Sequence, residues 1–391
     1  MKFEYIYIGT WTPSSTIHLK EFYRALSFWD SASFKKSEIK KWTKGLELEE
    51  IHYRPASINF IEGRFVNRVF FRVSEDGLIM AGRVLEDLEK DSQRLEQFLT
   101  DKIVNLWDNL FSRGGASMPK VFEEIRSVNP ALVKVSGASV DEMDKVFRTM
   151  NVIPYKKVAL ADGEVWIGES LVVVNNTQYA QETIENMVEH LLFAREYELQ
   201  LERLITAYHV LWNKVEGIRT QKAIQQSELA KIHDQIINIQ SQANFFRGRL
   251  NQMKHFLEWR NDLVDEYVTD PDLNKTFKKF FASLFSSQKY LQELWAMLHN
   301  YINSTLSLIS FLYSDSERKN LGTLQKLFLV QTVSSIIALG GLSTVYLNSV
   351  LIFGAMAITA AVFIYYLLFV VFSRRKKVFI FRKDIELEEK K

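Results

Sequence analysis

The stretch INFIEGRFVNRVFFRVSEDGLIMAGRV, residues Ile58–Val84, decides the fold of the N-terminal part of the chain. It contains three runs rich in β-branched and aromatic residues, a composition typical of β-strands. The dipeptides Glu62-Gly63 and Asp76-Gly77 separate the runs, and an acidic residue followed by glycine is common in hairpin turns. The stretch therefore predicts three antiparallel strands with turns at these two dipeptides.

The segments that follow alternate between helical and strand patterns. Ser139 precedes a short amphipathic run and Glu142 comes three residues later, which is the pattern of a helix-starting capping box. Asp162-Gly163 predicts another hairpin. Residues 1–176 are therefore predicted to form an α/β domain with its own core. One further helix is indicated by apolar residues at helical spacing: Leu88, Leu95, Phe98, Ile103, Leu106 and Leu110.

Long helices are predicted for the middle of the chain. Residues 177–268 carry apolar side chains at a spacing of three to four without a proline, which favours two long antiparallel helices or one bent coiled coil. Pro271 suits the first turn of a new helix. Residues 269–326 are therefore predicted to form a stalk helix.

An uncharged block ends the helical region. No Asp, Glu, Lys, Arg or His occurs between Leu327 and Phe372, and a helix needs about 20 apolar residues to cross a bilayer. The block predicts two transmembrane helices, 327–347 and 350–372, followed by a basic and acidic tail, 373–391. Lys and Arg flank both ends, so both termini are predicted to be cytosolic in a multi-pass protein of the cell membrane. The predicted fold class is an α+β cytosolic head with a long helical hairpin, a stalk and a C-terminal two-helix transmembrane hairpin.

Small and polar residues form a seam along the first predicted span. The seam has two interpretations: close helix packing, in which small residues let backbones approach, or a water-filled pore in a ring of helices. Either interpretation requires self-association. The candidate pore-lining residues are Gln331, Ser334, Ala338, Gly341, Val345 and Asn348.

This layout, with SRRKK after the second span, resembles the CorA family of divalent-cation channels over nearly the whole chain. The family's Gly-Met-Asn tripeptide is absent, because Leu347 stands between Tyr346 and Asn348 in VYLNS. The resemblance implies a homo-pentamer, with Asn348 at the pore mouth and Mg²⁺ or another divalent cation bound. The missing tripeptide puts magnesium selectivity in doubt.

Divergent CorA-like proteins that lack the tripeptide accompany type III CRISPR systems, and this chain is similar to that branch. The resemblance implies an oligomeric membrane channel in antiviral defence, gated when the cytosolic domain binds a nucleotide second messenger. Two alternatives stay open: a housekeeping Mg²⁺ transporter, and a non-conducting membrane-anchored coiled-coil scaffold.

Two weaker site candidates come from local composition. Arg113, Gly114, Gly115 and Lys120 lie in a glycine-containing segment whose amides and cations suit a phosphate, although such a segment is also a common loop. Asp315 and Glu317 suit a divalent metal that senses gating. Salt bridges to Arg318 and Lys319 explain these two carboxylates equally well.

Several function classes are disfavoured. The chain has no cysteine, no phosphate-binding glycine loop and no histidines at metal-ligand spacing, so no enzyme activity is predicted. The net charge of +2 gives no support for direct nucleic-acid binding. Trp11, Trp29 and Trp42 could stack on a base, but core packing explains them as well.

Overall fold

The structure is a computed structural model of the chain of 391 residues. It describes residues 1–11, 19–31, 34–111, 130–160, 163–176, 178–221, 223–268 and 270–342, isolated positions between 354 and 368, and residues 377–379.

A mixed β-sheet organises the N-terminal part. Among the described residues it has nine strands in the order β2-β3-β4-β5-β1-β6-β9-β8-β7. β6 and β9 run parallel, and the other neighbours are antiparallel. The strands are β1 Lys2–Trp11, β2 Leu48–Arg54, β3 Phe60–Phe65, β4 Phe70–Ser74, β5 Leu78–Val84, β6 Pro130–Ser136, β7 Pro154–Leu160, β8 Gly163–Gly168 and β9 Val172–Asn176.

Helices cover both faces of the sheet, because side chains alternate along a strand. Ile6 and Ile8 of β1 belong to the apolar core that the shorter helices cover. Trp11 points to the opposite face, where its ring centroid lies 4.9 Å from that of Phe193 on a long helix. The shorter helices are α1 Leu19–Phe28, α2 Lys36–Trp42, α3 Leu88–Phe98, α4 Asn105–Phe111 and α5 Val140–Thr149.

Several turns and helix caps lie where neighbouring residues in the sequence predict them. The Ser139 hydroxyl accepts from the amide of Glu142, whose carboxylate accepts from the amide of Ser139, so the predicted capping box is confirmed. Asp76-Gly77 connects β4 to β5, as predicted. The predicted turn at Glu62-Gly63 is wrong, because both residues lie within β3. A Cβ on Gly63 would lie 2.7 Å from the Phe71 ring, so this glycine serves close packing and not a turn.

The predicted stripe after β5 is present with one irregularity. A π-helical segment, Leu99–Val104, joins α3 to α4. Phe98 and Ile103 are five residues apart, and a π-turn brings residues at that spacing onto one face.

Three long helices follow the sheet: α6 Gln181–Arg219, α7 Leu229–Tyr267 and α8 Pro271–Leu342. α8 begins at Pro271, where the Asp270 side chain accepts from the amides of Asp272 and Leu273. These bounds agree with two long helices followed by a third that starts at Pro271.

The chain divides into two compact units. The first comprises Met1–Ala207 and Arg247–Gln292, and the second Tyr208–Phe246 and Glu293–Lys391. In the second unit, Trp212 stacks on Tyr301 with ring centroids 4.6 Å apart. A short strand β10, Ala223–Gln225, pairs there with β11, Lys377–Phe379.

The predicted membrane hairpin is contradicted. Over the residues that the structure describes, no helix combines the length and apolarity required to span a bilayer. From the apolar block, the described residues comprise the last turns of α8 and isolated positions between 354 and 368. Most of the predicted span 350–372 lies outside the described residues. Earlier turns of α8 carry charges such as Lys319 and Lys326. The transmembrane helices 327–347 and 350–372, and the multi-pass membrane localisation drawn from them, are corrected accordingly.

Candidate functional site

Arg260 of α7 is buried against the turn between β4 and β5. Its Nε lies 2.8 Å from Oδ2 of Asp76 and its Nη2 lies 3.1 Å from Oδ1, a bidentate arrangement. Its Nη1 donates to Oε2 of Glu189 on α6 at 2.8 Å. One guanidinium therefore joins a strand turn to two long helices of the first compact unit.

Glu189 continues the contacts toward the surface. Its Oε1 accepts from Nη1 of Arg72 at 2.7 Å, and Nη2 of Arg72 donates to Glu185 at 2.9 Å and to Glu62 at 3.4 Å. Glu62 in turn accepts from Nε of Arg54 at 2.8 Å. We call this series the charge chain: Arg54, Glu62, Arg72, Glu189, Arg260 and Asp76, with Glu185 attached at Arg72.

The charge chain runs from solvent into the core. The exposed fraction of the side chain falls from 54% at Arg54 and 28% at Glu62 to 1% at Arg260. Because solvent screens ion pairs less as burial increases, the contacts of Arg260 are the strongest and those of Arg54 the most exchangeable.

Burial and neighbouring charges shift the pKa values of the carboxyl groups in the charge chain in opposite directions. Burial alone would raise the pKa of Glu189, but the adjacent charges of Arg260 and Arg72 outweigh it and hold the pKa below its ordinary value. At Glu185 burial prevails over the attraction of Arg72, so the pKa is raised. Glu189 is thus the fixed negative charge between two arginines, and Glu185 is the carboxyl group that takes up a proton more readily.

An open groove lies at the exposed end of the charge chain. It has a volume of about 230 Å³ and is formed by β2, β3, β4 and the start of α6. Three arginines, one histidine and three glutamates contribute to its surface. The lining residues are Glu50, His52, Arg54, Glu62, Gly63, Arg64, Phe70, Phe71, Arg72, Gln181 and Glu185.

The strand pattern places these charges together. Glu50, His52 and Arg54 alternate along β2 and so share one face of the sheet. Glu50 pairs in register with Arg64, and His52 with Glu62. Nε of Arg64 and Nε2 of His52 lie 3.8 and 3.7 Å from the Glu50 carboxylate. At these longer distances the guanidinium and imidazole keep donors available for a ligand.

The predicted pore-lining residues do not belong to this groove. Gln331, Ser334, Ala338 and Gly341 lie in α8, and the Gln331 side chain is exposed. Val345 and Asn348 lie outside the described residues, as do Arg113, Gly114, Gly115 and Lys120. Of the predicted site residues that the structure describes, none lines the groove.

The two carboxylates proposed as metal ligands have local partners. Asp315 forms an ion pair with Lys319 one helical turn away. Glu317 accepts a hydrogen bond from Tyr313, which raises the pKa of that phenol. Across the described part of the chain, no group of three or more His, Asp or Glu side chains is arranged to hold a metal.

One feature of the sequence points to the charge chain. Arg72 is a single charged residue within the apolar strand Phe70–Ser74, and a charge at such a position needs a buried partner. Glu189 lies 117 residues after Arg72 in the sequence. Arg260 lies a further 71 residues after Glu189. No local pattern connects residues at those separations.

No protein-family model matches this chain, and no curated protein matches it either. The CorA resemblance therefore remains a prediction from the layout of the sequence.

Proposed function

We propose that this protein is a ligand-responsive regulatory protein without catalytic activity, and that its ligand binds in the groove of the first compact unit. One observation carries the proposal. Arg72 lines the groove and at the same time contacts Glu189, the residue that binds Arg260 of α7. A ligand that changes the partners of Arg72 therefore changes the packing of α6 and α7 on the sheet.

The groove suits a ligand that carries both signs of charge. Arg54 and Arg64 can take a phosphate or carboxylate group in the bidentate way that guanidinium groups favour. Glu50 and Glu185 can take an ammonium group. A nucleotide that carries an amino acid combines these groups, and it keeps the nucleotide class expected from the sequence. The groove is open on one side, so part of such a ligand can extend into solvent.

Partner exchange is the proposed route of coupling. When a ligand phosphate binds Arg54, Glu62 loses its 2.8 Å contact and is left with Arg72 at 3.4 Å. Glu62 then attracts Arg72 more strongly, and the contact of Arg72 with Glu189 weakens. Coupling of this kind between two sites is typically about 1–3 kcal/mol.

The residues around the groove favour binding over chemistry. Among the described residues, its lining contains no Ser, Thr, Cys or Lys, four of the side chains that act as nucleophiles. Arg54 and Arg72 both bind Glu62 there. Arg64 lies 3.8 Å from Glu50 and keeps donors for a ligand. This composition supports a regulatory site and not an active site.

Calorimetry with a stable aminoacyl-adenylate analogue tests the proposal. We expect the wild-type protein to bind the analogue, and Arg64→Gln to weaken binding at least about tenfold through loss of charge-assisted hydrogen bonds. Arg148→Gln is the matched control, because Arg148 is exposed on α5. Absence of binding by wild type, or equal loss in the two variants, would overturn the proposal. If AMP bound as tightly as the analogue, the proposed contact of the ammonium group with Glu50 and Glu185 would be contradicted.

Self-association is a second candidate with separate support in the second compact unit. Several large apolar side chains of α8 are exposed, and Leu321, Leu324 and Phe328 share one face by their spacing. We infer that a second copy of the chain covers this face. Light scattering should report an oligomer for wild type, a smaller species for Leu324→Glu and no change for the exposed control Ser314→Glu. A monomeric wild-type protein would contradict the inference.

A further inference from the structure

A second cavity lies between the end of α1 and strand β2, and it goes beyond the function proposed above. Its volume is about 600 Å³, within the range of small-molecule sites. It shares only Glu50 with the groove. Apolar, aromatic and acidic side chains meet in its lining, a combination that suits a ligand with an apolar body and a charged end.

An unsatisfied hydroxyl group lines this cavity. The Ser27 Oγ atom is buried and has no hydrogen-bond partner among the described residues. A buried polar group left in this way costs about 1–3 kcal/mol. Rotation of the Ser27 side chain toward a bound ligand with a hydrogen-bonding group would remove that cost.

Aromatic side chains form the exposed side of the cavity. Phe28 and Trp29 are 60% and 42% exposed, which is unusual for two adjacent large rings that line a cavity. Trp29 ends α1 with a φ of 52°, a left-handed conformation that costs a residue with a Cβ about 1–2 kcal/mol. The helix ends there through a bond from the amide of Asp30 to the carbonyl of Arg24, so Trp29 stands where glycine is usual.

Carboxylates line the β2 side of the cavity. Glu47 and Glu49 are exposed, and neither forms an ion pair with any residue that the structure describes. The pairing of β2 with β3 shifts register between Leu48 and Glu50, so Glu49 is the extra residue of a bulge. A bulge redirects a side chain out of the regular alternation and is frequent beside binding sites.

We propose that this cavity binds an arylalkylamine, in which a planar aromatic ring is joined by a short linker to a primary ammonium group. The ring packs on Phe28 and Trp29, as base-sized rings do on exposed aromatic side chains. The ammonium group binds Glu49 and Glu47. The lysines near Trp29 lie over its ring, with Nζ of Lys40 4.8 Å from the centroid, but they do not line the cavity.

Calorimetry on the full chain tests this proposal, with tryptamine as the probe. Indole-3-propionate is the matched anion, because it keeps the ring and replaces the ammonium group with a carboxylate. Tryptamine should bind at least about tenfold more tightly than the anion if the carboxylates recognise the charge. Equal binding of the two, tighter binding of the anion or no binding of tryptamine would overturn the proposal.

Two variants separate the roles of the side chains. Glu49→Gln should weaken tryptamine binding about tenfold, whereas Glu96→Gln, which alters an exposed glutamate of α3, should leave it unchanged. Equal loss in both variants would show a general charge effect and contradict the site. If Glu49→Gln does not fold, Glu47→Gln replaces it, and the comparison of the two ligands on wild type remains decisive.

Discussion

Arg260 and Asp76 are 184 residues apart in the chain and form a bidentate ion pair in which both side chains are essentially buried. The pair ties α7 to the turn between β4 and β5. Glu189 adds a contact from α6 to the same guanidinium. This arrangement fixes two long helices on the sheet, and it is the buried end of the charge chain that begins in the groove.

Removing Arg260 should destabilise the first compact unit strongly. Arg260→Met leaves Asp76 without its partner in the core, and breaking a buried pair from one side costs about 3–5 kcal/mol. Urea denaturation measures the loss. Arg148→Met is the control, because Arg148 is 81% exposed and such a pair contributes about 0–1 kcal/mol. Similar losses in the two variants would contradict the assigned role of Arg260.

Acid should destabilise the protein partly through His190. Burial first, and the charge of Arg260 next, lower the pKa of His190 to about 4, and Tyr267 and Phe277 pack against its ring. Because the folded state binds the proton less readily than the unfolded state, stability is lost as the pH falls from about 6.5 toward 4. The lowered pKa of Glu189 acts in the same direction below its ordinary value of 4.5.

A variant isolates the histidine contribution. Between pH 7 and 5, His190 should account for about 2 kcal/mol of the loss in unfolding free energy. His190→Leu should reduce the pH dependence by that amount relative to wild type. An unchanged slope in His190→Leu would show that His190 does not remain neutral in the folded protein. Burial raises the pKa of Glu196, so this residue adds stability as the pH falls. Its contribution is the same in all variants.

The same substitution should have opposite effects at two glycines. A Cβ on Gly9 of β1 would lie 2.5 Å from the Ile79 carbonyl oxygen and 2.6 Å from Leu192, so Gly9→Ala should cost about 1–3 kcal/mol. Gly248 lies inside α7 with nothing within 4 Å of its Cβ position, so Gly248→Ala should add about 0.5–1 kcal/mol. Thermal and urea denaturation check both signs, and stabilisation by Gly9→Ala would contradict the packing of α6 on β1.

Loss of the capping box at α5 should have a moderate effect. Ser139→Ala removes the acceptor for the Glu142 amide, and an N-cap deletion typically costs about 0.5–2 kcal/mol. Ser139→Asp restores an acceptor and should recover most of the stability. If alanine and aspartate variants were equally stable, the cap would not contribute to folding.

Local signals predicted the parts of the fold that depend on neighbouring residues. The box at Ser139, the turn at Asp76-Gly77 and the start of α8 at Pro271 each rest on contacts a few residues apart. The predicted turn at Glu62-Gly63 failed because Phe71, from the adjacent strand, needs the space beside Gly63. A glycine that serves packing and one that serves a turn look alike in sequence.

The candidate site was harder to predict from the sequence because it depends on contacts between residues that are far apart in the chain. The uncharged run from Leu327 to Phe372 suggested a membrane hairpin, and with it a pore, through composition alone. The charge chain joins Arg72 of β4 to α6 and α7, and only the folded sheet brings these residues together. A lone arginine in an apolar strand was the one local sign of it.

Hydrogen exchange of the α6 amides tests whether a ligand in the groove acts on α6 through the charge chain. The aminoacyl-adenylate analogue would be added at saturation to the wild-type protein, and exchange would be followed over residues 181–192, which include Glu185 and Glu189. We expect exchange there to change, because the ligand alters the partners of Arg72. Saturating binding with unchanged exchange in this segment would contradict coupling through the charge chain.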